Sequence, residues 1–229
     1  SAWNEMRREA LDKLLQKRSE PAPLATKEIT LPEYAEHEVG MIPQLAARFE
    51  TAAQLPGAEY LAKLRYLILP IREADAVPQP LRCKTLLELP RAAFGTVEPD
   101  TMRRLAALEG SGFAGVVANN LAQFGYASPL PVFGGLGLNV TNPMSAAEYV
   151  CLGARGLLVQ PETALTAMRA VAPRQKDGTP VPTAALCYGH LPLMLTRACP
   201  LRNVRTSCVG CTHKGKLRDR KGRDFPVRC

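Results

Sequence analysis

Short apolar runs recur along this chain about every twenty residues, with helical patterns between them, and that alternation restricts the fold more than any other feature. The runs are Leu45–Phe49, Tyr66–Leu69, Lys84–Leu87, Phe113–Ala118, Gly137–Val140, Gly156–Gln160 and Thr183–Cys187, with an eighth candidate at Leu193–Thr196. Helical periodicity marks Asp100–Leu108, Ser145–Leu152 and Pro161–Val171. Each opens on a start signal: Pro99-Asp100-Thr101, Asn142-Pro143, and Pro161 at a first helical position. Strands that alternate with helices build parallel sheets. Seven or eight such units predict an α/β fold, a short or incomplete TIM-like (β/α) barrel. The alternative is an open doubly wound sheet. The span is short for a full barrel, which takes about 250 residues. The 20 prolines predict that several crossovers are reduced to loops or single turns.

Three regions are expected. Residues 1–30 form an amphipathic helix, Trp3 to Arg18, and a linker opened by Pro21 and Pro23. Residues 31–196 form the barrel-like domain, and residues 197–229 a basic four-cysteine module. An apolar share of 46% in 229 residues supports a substantial core. No run of eighteen apolar residues is present, so no membrane partner is expected. The chain shows no apolar signal segment at its start, and its seven cysteines do not resemble a small disulfide scaffold. The expected compartment is the reducing cytoplasm.

Four of those cysteines, Cys199, Cys208, Cys211 and Cys229, are spaced C-x8-C-x2-C-x17-C. A C-x2-C pair sets two sulfurs on one tight turn, and a flanking pair can close a tetrahedral shell. This donor set suits an iron–sulfur cluster or zinc. Cys83, Cys151 and Cys187 are expected to pack as small apolar residues. From Arg197 to Arg228 the chain carries ten basic residues against Asp219 and Asp224, a net charge equal to the +8 of the whole protein. Part of this excess can balance thiolates. The rest predicts an anionic partner, RNA or a small anionic metabolite, met by Arg197, Lys214, Lys216, Arg218, Arg220 and Lys221. Phe225 is the one aromatic residue there, too few for a base-stacking platform.

If the fold is barrel-like, the working face lies at the C-terminal strand ends. The residues just past the apolar runs are Arg72, Glu88, Asn119, Asn120, Asn139, Asn142, Glu162, Tyr188, His190 and Arg197. Asn139, Asn142, Glu162 and His190 are expected to share a pocket open toward the cysteine segment. Asn142, Glu162 and His190 are the catalytic candidates. Glu162 has an equal structural reading, as an acid favouring a helix N-terminus. His37 and His213 are expected to be exposed. The chain contains no G-x-S-x-G elbow, H-E-x-x-H helix or P-loop. Gly134-Gly135-Leu136-Gly137 lacks the dinucleotide fingerprint and reads as a loop entering a strand.

Several segments resemble the collagenase-like peptidases of family U32. They are Asn4-Glu5-Met6-Arg7-Arg8-Glu9-Ala10-Leu11, Leu138-Asn139-Val140-Thr141-Asn142 and Tyr188-Gly189-His190-Leu191-Pro192-Leu193-Met194. In the tail they are Cys199-Pro200-Leu201-Arg202-Asn203, Cys208 to Cys211, Asp219-Arg220-Lys221-Gly222 and Phe225-Pro226-Val227-Arg228-Cys229. The family usually has Arg where His190 stands. The resemblance implies the C-terminal portion of a longer protein, with an upstream domain as its partner. It implies two activities: a peptidase of unknown catalytic type, or oxygen-independent hydroxylation of RNA bases or quinone precursors. The second uses a [4Fe-4S] cluster on four cysteines, with prephenate as oxygen source. The residues favour the second, because no nucleophile–base pair is legible and four thiolates close a metal's shell. A third reading is a non-catalytic RNA-binding or docking module with structural zinc.

Overall fold

The computed structural model describes residues 2–21, 42–126, 130–203, 209–212 and 214–228. His37, His213, Cys208 and Cys229 lie outside the described residues. The chain separates into two units, Ser1–Ala185 and Leu186–Cys229.

Among the described residues, the first unit holds seven strands: β1 (Leu45–Arg48), β2 (Leu64–Pro70), β3 (Thr85–Glu88), β4 (Gly115–Ala118), β5 (Val132–Gly134), β6 (Ala154–Val159) and β7 (Thr183–Ala185). Its helices are α1 (Ala2–Ser19), α2 (Ala58–Ala62), α3 (Gln79–Arg82), α4 (Val97–Ala107), α5 (Gln123–Tyr126), α6 (Pro143–Cys151) and α7 (Leu165–Ala170). All the strands are parallel, and they lie side by side in chain order. A doubly wound sheet reverses its strand order at a switch point. This sheet has no reversal, so the incomplete TIM-like barrel describes it and the open doubly wound alternative does not.

Register explains the layering. Leu69, Leu87, Val116 and Val132 form one row across four strands. Their shared face meets Leu105 of α4 and the neighbouring Leu108, with Leu69, Leu87 and Val116 fully buried. Farther along, Leu157 and Val159 of β6 pack with Ala146 of α6 and Val171 after α7. Crossovers of one hand place helices on one side of a sheet, and here both apolar clusters lie on that side.

The other face is concave. Tyr66 of β2 and Phe133 of β5 meet edge to face, with ring centroids 5.4 Å apart. Three strand spacings separate β2 from β5, about 14 Å on a flat sheet. Two rings can meet over that span only if the sheet curls toward them. Glycine makes room for the Phe133 ring: a Cβ at Gly156 would stand 2.7 Å from it, and one at Gly115 3.1 Å.

Several local expectations need correction. The fifth strand is Val132–Gly134, not Gly137–Val140; the latter holds a 3-10 turn, Leu136–Leu138, then Asn139 at φ 52° and Val140 in an isolated bridge to Val159. The helix expected from Pro161 begins at Leu165 because Pro161 and Glu162 occupy a turn. Leu193–Thr196 forms no strand. Cys83, Cys151 and Cys187 are exposed thiols rather than packed apolar groups.

The second unit contains a 3-10 turn, Pro200–Asn203, and an antiparallel hairpin of β8 (Lys214–Arg218) and β9 (Asp224–Arg228). None of its described residues is buried. No described helix is long and apolar enough to cross a membrane.

Candidate functional site

The C-terminal ends of β1, β2 and β3 carry a charged cluster on the concave face. Arg48 and Glu88 share that face with Tyr66 because Arg48 pairs with Ile68, and Glu88 with Pro70, in the same strand parity. The Nε of Arg48 donates to Glu88 Oε2 at 2.7 Å, reaching across the proline strand between them. Its Nη1 donates to Glu50 Oε1, also at 2.7 Å. Burial works against the Arg48 charge, but Glu88 and Glu50 outweigh it and raise the guanidinium pKa above its ordinary value. Gln54 holds Glu50 in place by accepting its backbone N–H at 2.8 Å.

Arg72 extends the cluster. It lies 3.7 Å from Glu50 Oε2 and 3.9 Å from Glu73 Oε1, and its side chain is 64% exposed. Glu73 is anchored by the Ala52 N–H at 3.0 Å. Arg48 is therefore held firmly by two carboxylates, while Arg72 is held loosely beside it. A planar guanidinium of that kind matches an incoming carboxylate or phosphate. Arg72 and Glu88 were legible as polar residues following strands. Arg48 and Glu50 were not, because Arg48 lies inside an apolar run and becomes significant only through its strand parity.

The remaining expected pocket residues have defined places. Asn119 is buried and structural: its Nδ2 donates to the Leu89 carbonyl at 3.0 Å, and its Oδ1 accepts the Gly137 N–H at 3.1 Å. Gln123 Oε1 accepts the Asn119 N–H, and its Nε2 donates to the Pro90 carbonyl at 2.7 Å. This network joins the loops after β3, β4 and β5. Gly137 belongs to it, since a Cβ there would lie 2.1 Å from the Asn119 carbonyl oxygen. Asn120 Oδ1 accepts the Gln123 N–H at 3.3 Å. Asn142 caps α6, its Oδ1 accepting the Ser145 N–H at 2.9 Å. Asn139 Oδ1 accepts from Gln160 Nε2 at 2.9 Å. The Gln160 Oε1 and Thr163 Oγ1 atoms nearby are buried without a partner among the described residues. Glu162 is exposed in the turn before α7.

In the second unit, His190, Tyr188 and Arg197 are exposed. The hairpin has two faces. Lys214, Lys216 and Arg218 alternate along one face of β8, with Gly215 and Leu217 on the other. Lys216 Nζ donates to Asp224 Oδ2 at 2.8 Å, and Arg218 reaches the same carboxylate at 2.7 and 3.1 Å. Arg218, then Lys216, lowers the Asp224 pKa to about 2. Asp219 Oδ1 accepts the N–H groups of Lys221 and Arg223, each at 2.8 Å, and shapes the turn. Both acids of the segment are thus engaged within the hairpin. Lys214, Arg220 and Lys221 project from an exposed surface.

Cys199 and Cys211 are of intermediate exposure. Leu201, two residues after Cys199, packs on Gly215, four residues after Cys211; a Cβ on Gly215 would meet Leu201 at 2.3 Å. Arg228, next to Cys229 in sequence, pairs with Lys214, three residues after Cys211.

No family model matches this chain, and no curated protein matches it. The assignment of the fold rests on strand order and register. Among solved structures, the chain is similar to that of the U32 peptidase Mk0906, with 13% sequence identity, a TM-score of 0.46, and coverage of 63% of this chain and 72% of that one.

Proposed function

We propose that this chain is a portion of a U32 peptidase-like protein that supports iron–sulfur-dependent, oxygen-independent hydroxylation of RNA or a related small anionic substrate. The observation that carries this reading is the packing within the tail. Leu201 on Gly215 and the Arg228–Lys214 pairing draw together the chain next to Cys199, Cys211 and Cys229. The two described thiols, Cys199 and Cys211, are half-buried, and they sit in a strongly basic segment that offsets thiolate charge. That donor set fits a four-thiolate centre on Cys199, Cys208, Cys211 and Cys229. A [4Fe-4S] cluster bound there would supply one-electron redox chemistry. Zinc on the same residues would form a closed structural site.

The protein's own groups then divide the work. Arg72, steadied beside Arg48, orients a carboxylate or phosphate at the strand ends. Arg197, Lys214, Lys216, Arg218, Arg220 and Lys221 hold a phosphate backbone. An upstream domain of the same protein completes the enzyme, and a reducing cytoplasm keeps the thiols available. Asn142, Glu162 and His190 remain the catalytic candidates in this reading.

Anaerobic reconstitution of the longest available chain, with iron, acid-labile sulfide and zinc measured together, tests the proposal. Iron with sulfide in a 1:1 ratio, lost in Cys211→Ser, is the expected result. One zinc per chain with no sulfide would replace it with the structural-module reading. Gelatin cleavage by the purified chain, abolished by Glu162→Gln or His190→Ala, would replace it with the peptidase reading.

A further inference from the structure

We infer that the cleft at the N-terminal end of β6 binds a small phosphorylated molecule. This end of the strands is opposite the Arg48–Glu88 cluster. The cleft has a volume of about 400 Å³, within the range of small-molecule sites, and is lined by Val150, Ala154, Arg155, Arg174, Lys176 and Asp177, among others.

Its two arginines differ from the other arginines of the sheet unit that make ion pairs. Arg48, Arg72, Arg103 and Arg104 each face a carboxylate. Arg155 Nη1 instead donates to the Gln175 amide oxygen at 2.9 Å, and Arg174 Nη1 to the Gly178 carbonyl at 3.0 Å. Neutral acceptors fix the direction of a guanidinium without satisfying its charge. Each retains further N–H donors, and among the described residues neither makes an ion pair. Lys176 adds a third cation. Asp177 is the one acid lining the cleft; its Oδ1 accepts the Thr179 N–H at 2.9 Å within its own turn, and it interacts electrostatically with Arg155 without an ion-pair contact, so the three cations still outnumber it.

The backbone that presents these groups is well tied. Arg174 bridges Pro180 in antiparallel fashion, Gln175 N–H donates to Thr179 at 2.8 Å, and Val181 N–H donates to Pro173 at 2.9 Å. Val171 and Val181, at the two ends of this excursion, are buried. The two arginines are therefore positioned before any ligand arrives, which lowers the entropic cost of binding. Three exposed cations gathered at one cleft, with Val150 and Ala154 beside them, match a compact phosphate ester better than an extended strand.

Calorimetric titration of the full chain with pyrophosphate and inorganic phosphate, in chloride buffer, tests the site. Saturable binding is expected. Arg155→Gln with Arg174→Gln should weaken it by about tenfold or more, as expected for lost charge-assisted hydrogen bonds. Lys176→Met, which removes no described hydrogen bond, should weaken it less while leaving the far-ultraviolet circular dichroism unchanged. Lys214→Gln with Arg220→Gln in the tail should leave it unaltered. Absence of binding above chloride overturns the proposal. So does binding that survives the double arginine variant, or that disappears with the tail variant.

Discussion

In the seven-stranded sheet, Leu67, Leu69, Leu87 and Val116 are fully buried. In the unit from Leu186 onward, Tyr188 is 96% exposed and Leu193 74%, and no described residue is buried. Burying one leucine contributes about 1.5–3 kcal/mol, so the sheet has an apolar source of stability that the tail lacks. The tail has a hairpin, a carboxylate clamp and a set of cysteines. A lone hairpin is marginal in water. The comparison separates two kinds of sensitivity: side-chain volume should matter in the sheet, and ligands, salt and acid should matter in the tail.

The largest expected effect is in the sheet. Leu87→Ala opens a cavity in the central row and should cost about 2–5 kcal/mol, read by urea denaturation. Leu193→Ala should stay within about 0.5 kcal/mol, as exposed substitutions do. Similar losses for the two would break the comparison. Next comes the polar network. Asn119→Ala strands the Gly137 N–H and the Leu89 carbonyl, and should cost about 1–3 kcal/mol. A variant as stable as the parent would show that solvent replaces the side chain.

The tail should respond in the opposite way. Cys211→Ser should make residues 199–229 protease-sensitive in the reconstituted protein and leave the fragment containing the sheet intact. An unchanged digestion pattern would mean that the hairpin holds without a centre. The smallest effect belongs to Asp224. Its pKa in the folded chain, about 2, lies below the ordinary value of 3.8. Its contribution is therefore complete above the ordinary value and declines as the pH falls toward 2. Amide shifts of β8 and β9 should follow that titration, while Asp224→Asn abolishes it and leaves the sheet's melting temperature unchanged. A midpoint near 3.8 would mean that Arg218 and Lys216 do not hold the carboxylate in solution.

The sequence made six of the seven strands legible, because β-branched and leucine runs separated by turn residues have a clear physical cause in burial. Strand β5 was missed. It has three residues, follows Pro131 and ends at Gly134, so composition argued against it. The Gly137–Val140 run looked stronger, yet Asn139 adopts a left-handed conformation there and Gly137 serves the Asn119 network. Pro161 satisfied the rule for a first helical position, but the chain needed a turn to leave β6, and the helix waited until Leu165. In the candidate site, Arg72 and Glu88 followed from their position after strands. The Arg48–Glu88 bridge depends on register across three strands, which local pattern does not encode. Asn142 was legible twice, as a pocket residue and as the start of a helix, and the second role is visible in its cap to Ser145.

The chain-ordered sheet also bears on how this protein assembles. Every strand from β2 to β6 pairs with the strand made just before it and the one made just after. The separation along the chain between partners stays short, so contact order is low for a sheet of seven strands, and closure of long loops is not required. Assembly can proceed vectorially, each new strand adding to the edge left by the last as synthesis continues. A chain stopped after Val159 already contains the partners that β1 through β5 require, and it presents β6 as the growing edge.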